Sequence, residues 1–278
     1  DKTDYDITVV GDAIEFAKIV AKELNTKVVE YTRFRTALVP YNKIQIEFVG
    51  TRQEQYTKGS RKPIVIEGSL SDDIRRRDFT VNTLAASLNK EDFGEVIDQY
   101  DGLSHIEKKL LVTPLDPIVT YKDDPLRMMR AARFSSQLDF EIEQSSFEAI
   151  RTVANEIVNI SQERITDELF KILKTKKPSI GFKVLMNTGL LEIIFPEVYN
   201  LKGIEKVEHN GRVFAHKDVF YHTLEVVDNI SQMTDNVWLR FVALMHDIAK
   251  PPTKRFHKEQ GHLRFHLRYD WEKFLFCL

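Results

Sequence analysis

A single cysteine, Cys277, is present among 278 residues, so a disulfide framework is excluded and a reducing, cytoplasmic setting is expected. No apolar run approaches the roughly 18–20 residues of a membrane-spanning helix, and no signal peptide is visible. Net charge is lacking too. Forty Lys and Arg face 42 Asp and Glu, leaving a formal −2, so a general affinity for polyanions cannot be read from the total. Any anionic partner must be met by local clusters. Internal repeats and low-complexity tracts are absent. The first residue is Asp1 rather than methionine and the last stretch, "WEKFLFCL", is apolar, so a segment of a longer chain is expected.

What is present is ordinary for a globular protein, 42% hydrophobic and 29% charged, at a length that suggests two or three domains. Residues 1–115 alternate between strand-like and helix-like runs. "DITVV" and "KIQIEFVG" read as strands and "IEFAKIVAKELN" as an amphipathic helix; "YTKGSRKP" reads as a loop. Val81, Leu84, Ala85 and Leu88, spaced i, i+3, i+4, i+7, predict a helix following the arginines at 75–77. "VIDQYDGLSHI" supplies a short strand and an Asp-Gly turn. From about residue 116 only helices are expected, with Ser, Asp or Pro at their starts. The fold class is therefore α+β: a mixed-sheet head over 1–115, a helical neck over 116–178 and a helical body over 179–278.

Three clusters in the first half of the chain carry chemistry. Asp4 and Asp6 stand two apart at the start of a strand, so alternation sends both carboxylates to one face. Two like charges so close favour a bound cation, and Mg²⁺ suits oxygen ligands while leaving positions for phosphate. Glu47, in "KIQIEF", could join them if its strand is a neighbour.

Arg75, Arg76 and Arg77 cannot all face one way, so at least one should point to solvent and another into a cleft. An arginine fork binds phosphate in bidentate fashion, and a helix N-terminus adds free N–H groups and a favourable dipole. Asp78 and Asn82, i and i+4 on the expected helix, would then meet a ribose.

In "YKDDPLRMMRAARF", Pro125 at a first helical position puts Asp124 at the helix start, with Arg127 one turn on and Met128, Met129 and Ala132 on the other side. Aspartate accepts and arginine donates. Cytosine and adenine each offer an amine donor beside a ring-nitrogen acceptor, whereas guanine and uracil present the reverse. One Asp/Arg pair could accept C or A and refuse G and U without a template.

"RRRDFTVNTLAASLN" resembles the signature of the class II tRNA nucleotidyltransferase and bacterial poly(A) polymerase family, and "DDPLR" resembles that family's base-selecting helix. The resemblance implies template-independent addition of C and A, from CTP and ATP, to the 3′ end of tRNA, with Mg²⁺ and release of pyrophosphate. Asp4 and Asp6 would be catalytic and hold Mg²⁺; Arg77, Asp78, Asn82, Asp124, Arg127, Arg130 and Arg133 would bind nucleotide. A poly(A) polymerase, or a member adding only CC or only A, fits the same residues. "VIDQYDGLSHI" resembles the family's connector at Asp98 and Gly102, with His105 where an aspartate is usual, and is expected to be a hinge. "ERITDELFKIL" resembles a neck helix in which Glu163 and Arg164 would lock packing. The glycine turn that cradles the triphosphate in this family would lie upstream of Asp1.

"FYHTLEVVDN" and "LMHDIAKPPTK" resemble an HD domain over about 215–278, whose divalent metal would be held by His222, His246 and Asp247. Asp270 is a weak candidate for a fourth ligand. This leaves a reading of another class, an HD-type metal-dependent phosphohydrolase, and a third, a non-catalytic RNA-binding relative.

Overall fold

The computed structural model describes residues 4–55, 64–203, 206–209, 212–215, 218–257 and 262–265. The loop expected at 56–63, His266, Asp270 and Cys277 lie outside them. The chain divides into two compact units, residues 1–78 and 79–278.

The first unit opens with strand β1 (Asp4–Val9) and helix α1 (Ala13–Glu23). Asp12 starts the helix, its carboxylate accepting from the backbone N–H of Ile14 and Glu15 at 3.0 and 3.1 Å. Three further strands follow: β2 (Val29–Tyr31), β3 (Thr36–Tyr41) and β4 (Ile44–Gly50). The sheet order is β1-β4-β3-β2, with β1 parallel to β4 and the other pairs antiparallel. Ala13, Ala17 and Ala21 recur every four residues along α1 and are buried with Ala37, Val39 and Phe48 of the sheet. Small side chains at that spacing let the helix lie close against one sheet face. Alternation then leaves Asp4, Asp6, Gln45, Glu47, Leu38 and Tyr31 to the opposite face. A hairpin of β5 (Arg52–Gln55) and β6 (Ile64–Glu67) leads to helix α2 (Leu70–Arg75), which begins with a reciprocal Ser69/Asp72 capping box.

The helix expected across 78–89 is absent. Helix α2 ends before the arginine run is complete, Phe79 is extended, and a single 3₁₀ turn (Thr80–Asn82) precedes strand β7 (Ala85–Ala86). The apolar spacing misled because Leu88 is 59% exposed and never joins a buried stripe. Asp78 and Asn82 therefore share no helical face.

The second unit continues with β8 (Val96–Ile97), paired with β7, then α3 (Gly102–Glu107) and β9 (Leu110–Leu111). Asp98 accepts from the N–H of Gly102 at 2.7 Å and of Leu103 at 3.0 Å, fixing the start of α3. A Cβ on Gly102 would lie 2.6 Å from the Thr80 carbonyl oxygen, so glycine is required by close approach.

Helices dominate from there: α4 (Pro117–Asp123), α5 (Leu126–Leu138), α6 (Gln144–Val153), α7 (Gln162–Leu173) and α8 (Pro178–Asn187). The apolar run that begins at Ser179 divides at Gly189, whose φ of +82° only glycine adopts readily, into α8 and α9 (Leu190–Ile194). Then come α10 (Pro196–Tyr199), α11 (Val219–Met233) and α12 (Val237–Met245). One core, from Phe79 to Leu244, runs through these elements.

Strands do not stop at 116. β10 (Glu141–Ile142) pairs with β9, and two antiparallel hairpins fall within residues 179–278 of the sequence, Lys206–His209 with Arg212–Ala215 and Lys254–His257 with His262–Phe265. The first carries a signal the helical reading passed over, the Asn-Gly dipeptide between its strands. Among the described residues, no helix is long and apolar enough to cross a membrane.

Candidate active site

On the open face of the first sheet, Asp6 of β1 stands in register with Glu47 of β4, and Asp4 with Gln45. Adjacent strands lie about 4.8 Å apart, so the three acids form one patch of oxygen ligands. Burial first, and then the negative charge of Asp6, push the Glu47 carboxyl above its ordinary value. Three carboxylates on one open sheet face fit Mg²⁺, which prefers hard oxygen donors and open positions.

The arginine run divides as expected in part. Arg75 is exposed, whereas Arg76 and Arg77 both reach Asp73, with Arg76 Nε at 3.1 Å from Oδ1 and Arg77 at 3.3 Å from Oδ2. Asp73 is 1% exposed and was missed from sequence. Its position four residues before Arg77 on α2 was the available signal. Asp78 is also buried.

In the second unit, Pro125 already has helical dihedrals, so Asp124 does stand at the start of α5. Its Oδ1 accepts from the Leu126 N–H at 3.2 Å, and its Oδ2 accepts from Arg164 at 3.0 Å. Arg127, half-buried, donates to the Thr120 carbonyl at 3.2 Å. Arg130 and Arg133 lie 5.1 and 4.3 Å from the ring of Phe134, and Arg133 also pairs with Glu168 at 3.3 Å. That pair is nearly withdrawn from solvent. The expected packing role of Glu163 thus belongs to Glu168, since Glu163 is exposed in the first turn of α7. Arg164, also exposed, is the partner of Asp124.

His105 Nδ1 lies 2.9 Å from Thr80 Oγ1, beside the cap formed by Asp98.

His222 on α11 and His246 and Asp247 just past α12 bring one ligand atom each within 4.8 Å of one another. His246 Nδ1 bonds the Ala243 carbonyl at 2.7 Å, which makes it the N–H donor and leaves Nε2 as an acceptor. That Nε2 lies 3.1 Å from the Asp247 carboxylate, and two acceptors at that distance need a shared proton or cation. The donor set fits a divalent metal. Lys250 already places its ammonium 2.6 Å from Asp247 Oδ2.

An α/β sheet with an acidic open face, followed by a helical body, is the architecture of a nucleotidyltransferase head carried on helices. Residues 1–112 match the family described as the poly A polymerase head domain, residues 139–201 a probable RNA and SrmB-binding site of polymerase A, and residues 219–270 an HD domain. The chain belongs to this tRNA nucleotidyltransferase and poly(A) polymerase family, with an HD domain in its body.

Relatives include an A-adding tRNA nucleotidyltransferase of Aquifex aeolicus, 30% identical over 93% of this chain and 30% of that protein. A multifunctional CCA protein of Psychromonas ingrahamii is 33% identical over 73% of this chain and 49% of that protein. The chain thus spans less than half the length of these curated relatives. Among solved structures, a tRNA nucleotidyltransferase complexed with a primer tRNA and an incoming ATP analog superimposes with a TM-score of 0.69 at 26% identity, covering 89% of this chain and 68% of that one. A tRNA-processing enzyme with CTP gives 0.68 at 25% identity, covering 89% and 63%.

Proposed function

We propose that the protein is a template-independent nucleotidyltransferase that adds C and A to the 3′ end of tRNA from CTP and ATP. The observation that carries this reading is the register of Asp6 with Glu47 beside Asp4 on an open sheet face. Those three acids would hold Mg²⁺, which supplies charge neutralisation at the phosphates. The chain's own residues do the rest. Arg77 holds a phosphate, with Asp73 behind it to fix the guanidinium. Asp78 and Asn82 hold the sugar. Asp124 accepts from the exocyclic amine of C or A while Arg127 donates to the ring nitrogen, and G or U would set donor against donor. Arg130 and Arg133 complete the nucleotide-binding set. The division into head (1–115), neck (116–178) and body (179–278) belongs to the same proposal.

Incubating the full-length protein with tRNA lacking its CCA end and each labelled triphosphate tests it. Incorporation of C and then A is expected. Long A tracts on generic RNA would replace it with a poly(A) polymerase, and addition of A alone or CC alone with a partial adder.

The cluster of His222, His246 and Asp247 favours a second activity, metal-dependent phosphoester hydrolysis in the HD domain. Hydrolysis that survives Asp4→Ala but is lost in Asp247→Ala would support it. Titration of Mn²⁺ or Ni²⁺ against the His246→Ala protein gives the binding readout independent of activity.

A further inference from the structure

The open face of the head sheet carries more than carboxylates. An open depression of about 390 Å³ is lined by Tyr31, Phe34, Thr36, Leu38, Gln45 and Glu47. Tyr31 is 47% and Phe34 56% exposed, and the two rings line the same depression. A 3₁₀ turn (Thr32–Phe34) ends at Arg35, whose φ of +54° is a left-handed conformation that non-glycine residues adopt at a cost. Positive charge accompanies the rings, since the Arg33 guanidinium lies 5.9 Å from the Phe34 ring centre. Glu47 belongs both to this depression and to the acidic patch with Asp6.

We infer that Tyr31 and Phe34 form a stacking platform for the bases at the 3′ end of the RNA acceptor. Aromatic faces beside an arginine bind single-stranded nucleic acid without reading its sequence, because every base has a π-face. An acceptor that grows by successive nucleotides needs that tolerance at its end. Two strand spacings, roughly 10 Å, separate the β4 acids from β2, within the reach of one or two nucleotides. A terminal hydroxyl beside Asp6 and Glu47 therefore puts its own base strand over the rings. The incoming nucleotide's base is assigned to Asp124 and Arg127, so the platform serves the other reactant. This inference rests on the nucleotidyl-transfer reading proposed above.

The test uses the full-length protein. Tyr31→Ala and Phe34→Ala are expected to raise KM for the RNA acceptor about 5- to 100-fold while leaving KM for CTP and ATP within about twofold. Tyr31→Phe and Phe34→Tyr should restore it, which a damaged fold would not allow. An acceptor RNA with 4-thiouridine at its terminal position should photo-cross-link to the segment 31–34. Cross-linking that maps to other segments, or a KM change confined to the nucleotides, overturns the platform. Should the protein transfer no nucleotide at all, the reading of its activity fails, yet the cross-link still decides whether RNA lies on these rings.

Discussion

The guanidinium of Arg164 lies 3.0 Å from Asp124, tying the first turn of α7 to the start of α5 across forty residues of sequence. Both groups are partly open to solvent, so the pair contributes at most about 1 kcal/mol to stability. Its consequence is positional, because it fixes one oxygen of the carboxylate proposed to read the base while the other caps Leu126. Arg164→Ala should leave the unfolding midpoint nearly unchanged. It should reduce the preference for C and A over G and U by about ten- to a hundredfold, measured as ratios of kcat/KM.

Glu47 gives a pH signature. Its carboxyl is raised in the folded state, so it favours folding while protonated, and that contribution is lost as pH rises through the folded value. At neutral pH the ionised acid beside Asp6 is a liability that Mg²⁺ would relieve. Thermal unfolding should therefore shift upward with Mg²⁺ at pH 7 and respond little near pH 4. Glu47→Gln should blunt the shift, and an identical Mg²⁺ response in that variant would rule out Glu47 as a ligand.

Asp98 has the opposite sign. Burial works against its charge, but the N–H groups of Leu103, Gly102 and Tyr100, with His105 nearby, outweigh it and hold the carboxyl below its ordinary value. Its contribution is present above the unfolded value and lost as pH falls through the folded one. Asp98→Ala should cost about 1 kcal/mol at pH 7 in denaturant unfolding. The difference from wild type should shrink toward pH 3.

Arg240 is a buried cation held by carbonyls. It donates to Leu173, Thr175, Ser231 and Thr234 at 2.8–2.9 Å, and to Asp235 at 3.2 Å. Its side chain is 3% exposed, whereas that of Asp235 is fully open. Arg240→Ala should cost about 3–5 kcal/mol, because four carbonyls lose a charged donor. Asp235→Ala should stay within about 0.5 kcal/mol. Equal losses in the two variants would mean that the surface ion pair, and not the carbonyl cage, holds this corner.

Legibility from sequence followed locality. Helices α1, α5, α7 and α11 were readable because apolar spacing and caps act within a few residues. The helix expected after Arg77 failed for the same reason in reverse: Val81, Leu84, Ala85 and Leu88 have helical spacing, but Phe79 and Thr80 are held by the connector. Thr80 N–H bonds the Val112 carbonyl at 2.8 Å, and Gly102 packs against the Thr80 carbonyl. Tertiary contacts overrode propensity there.

The residue types of the proposed site, Asp4 with Asp6, Arg77 with Asp78, and Asp124 with Arg127, were determined by the sequence, since short motifs carry their chemistry in their spacing. Which partner each acquires was decided only by the folded chain. The pairing of Asp6 with Glu47 needs β1 and β4 to be neighbours, and strand order is a long-range choice made by burying Phe48 and Val39 beneath α1. Arg133 with Glu168, Arg164 with Asp124, and the exposure of Tyr31 and Phe34 depend likewise on which faces the cores leave over. Side chains far apart in the chain meet only once hydrophobic burial has fixed the elements that carry them.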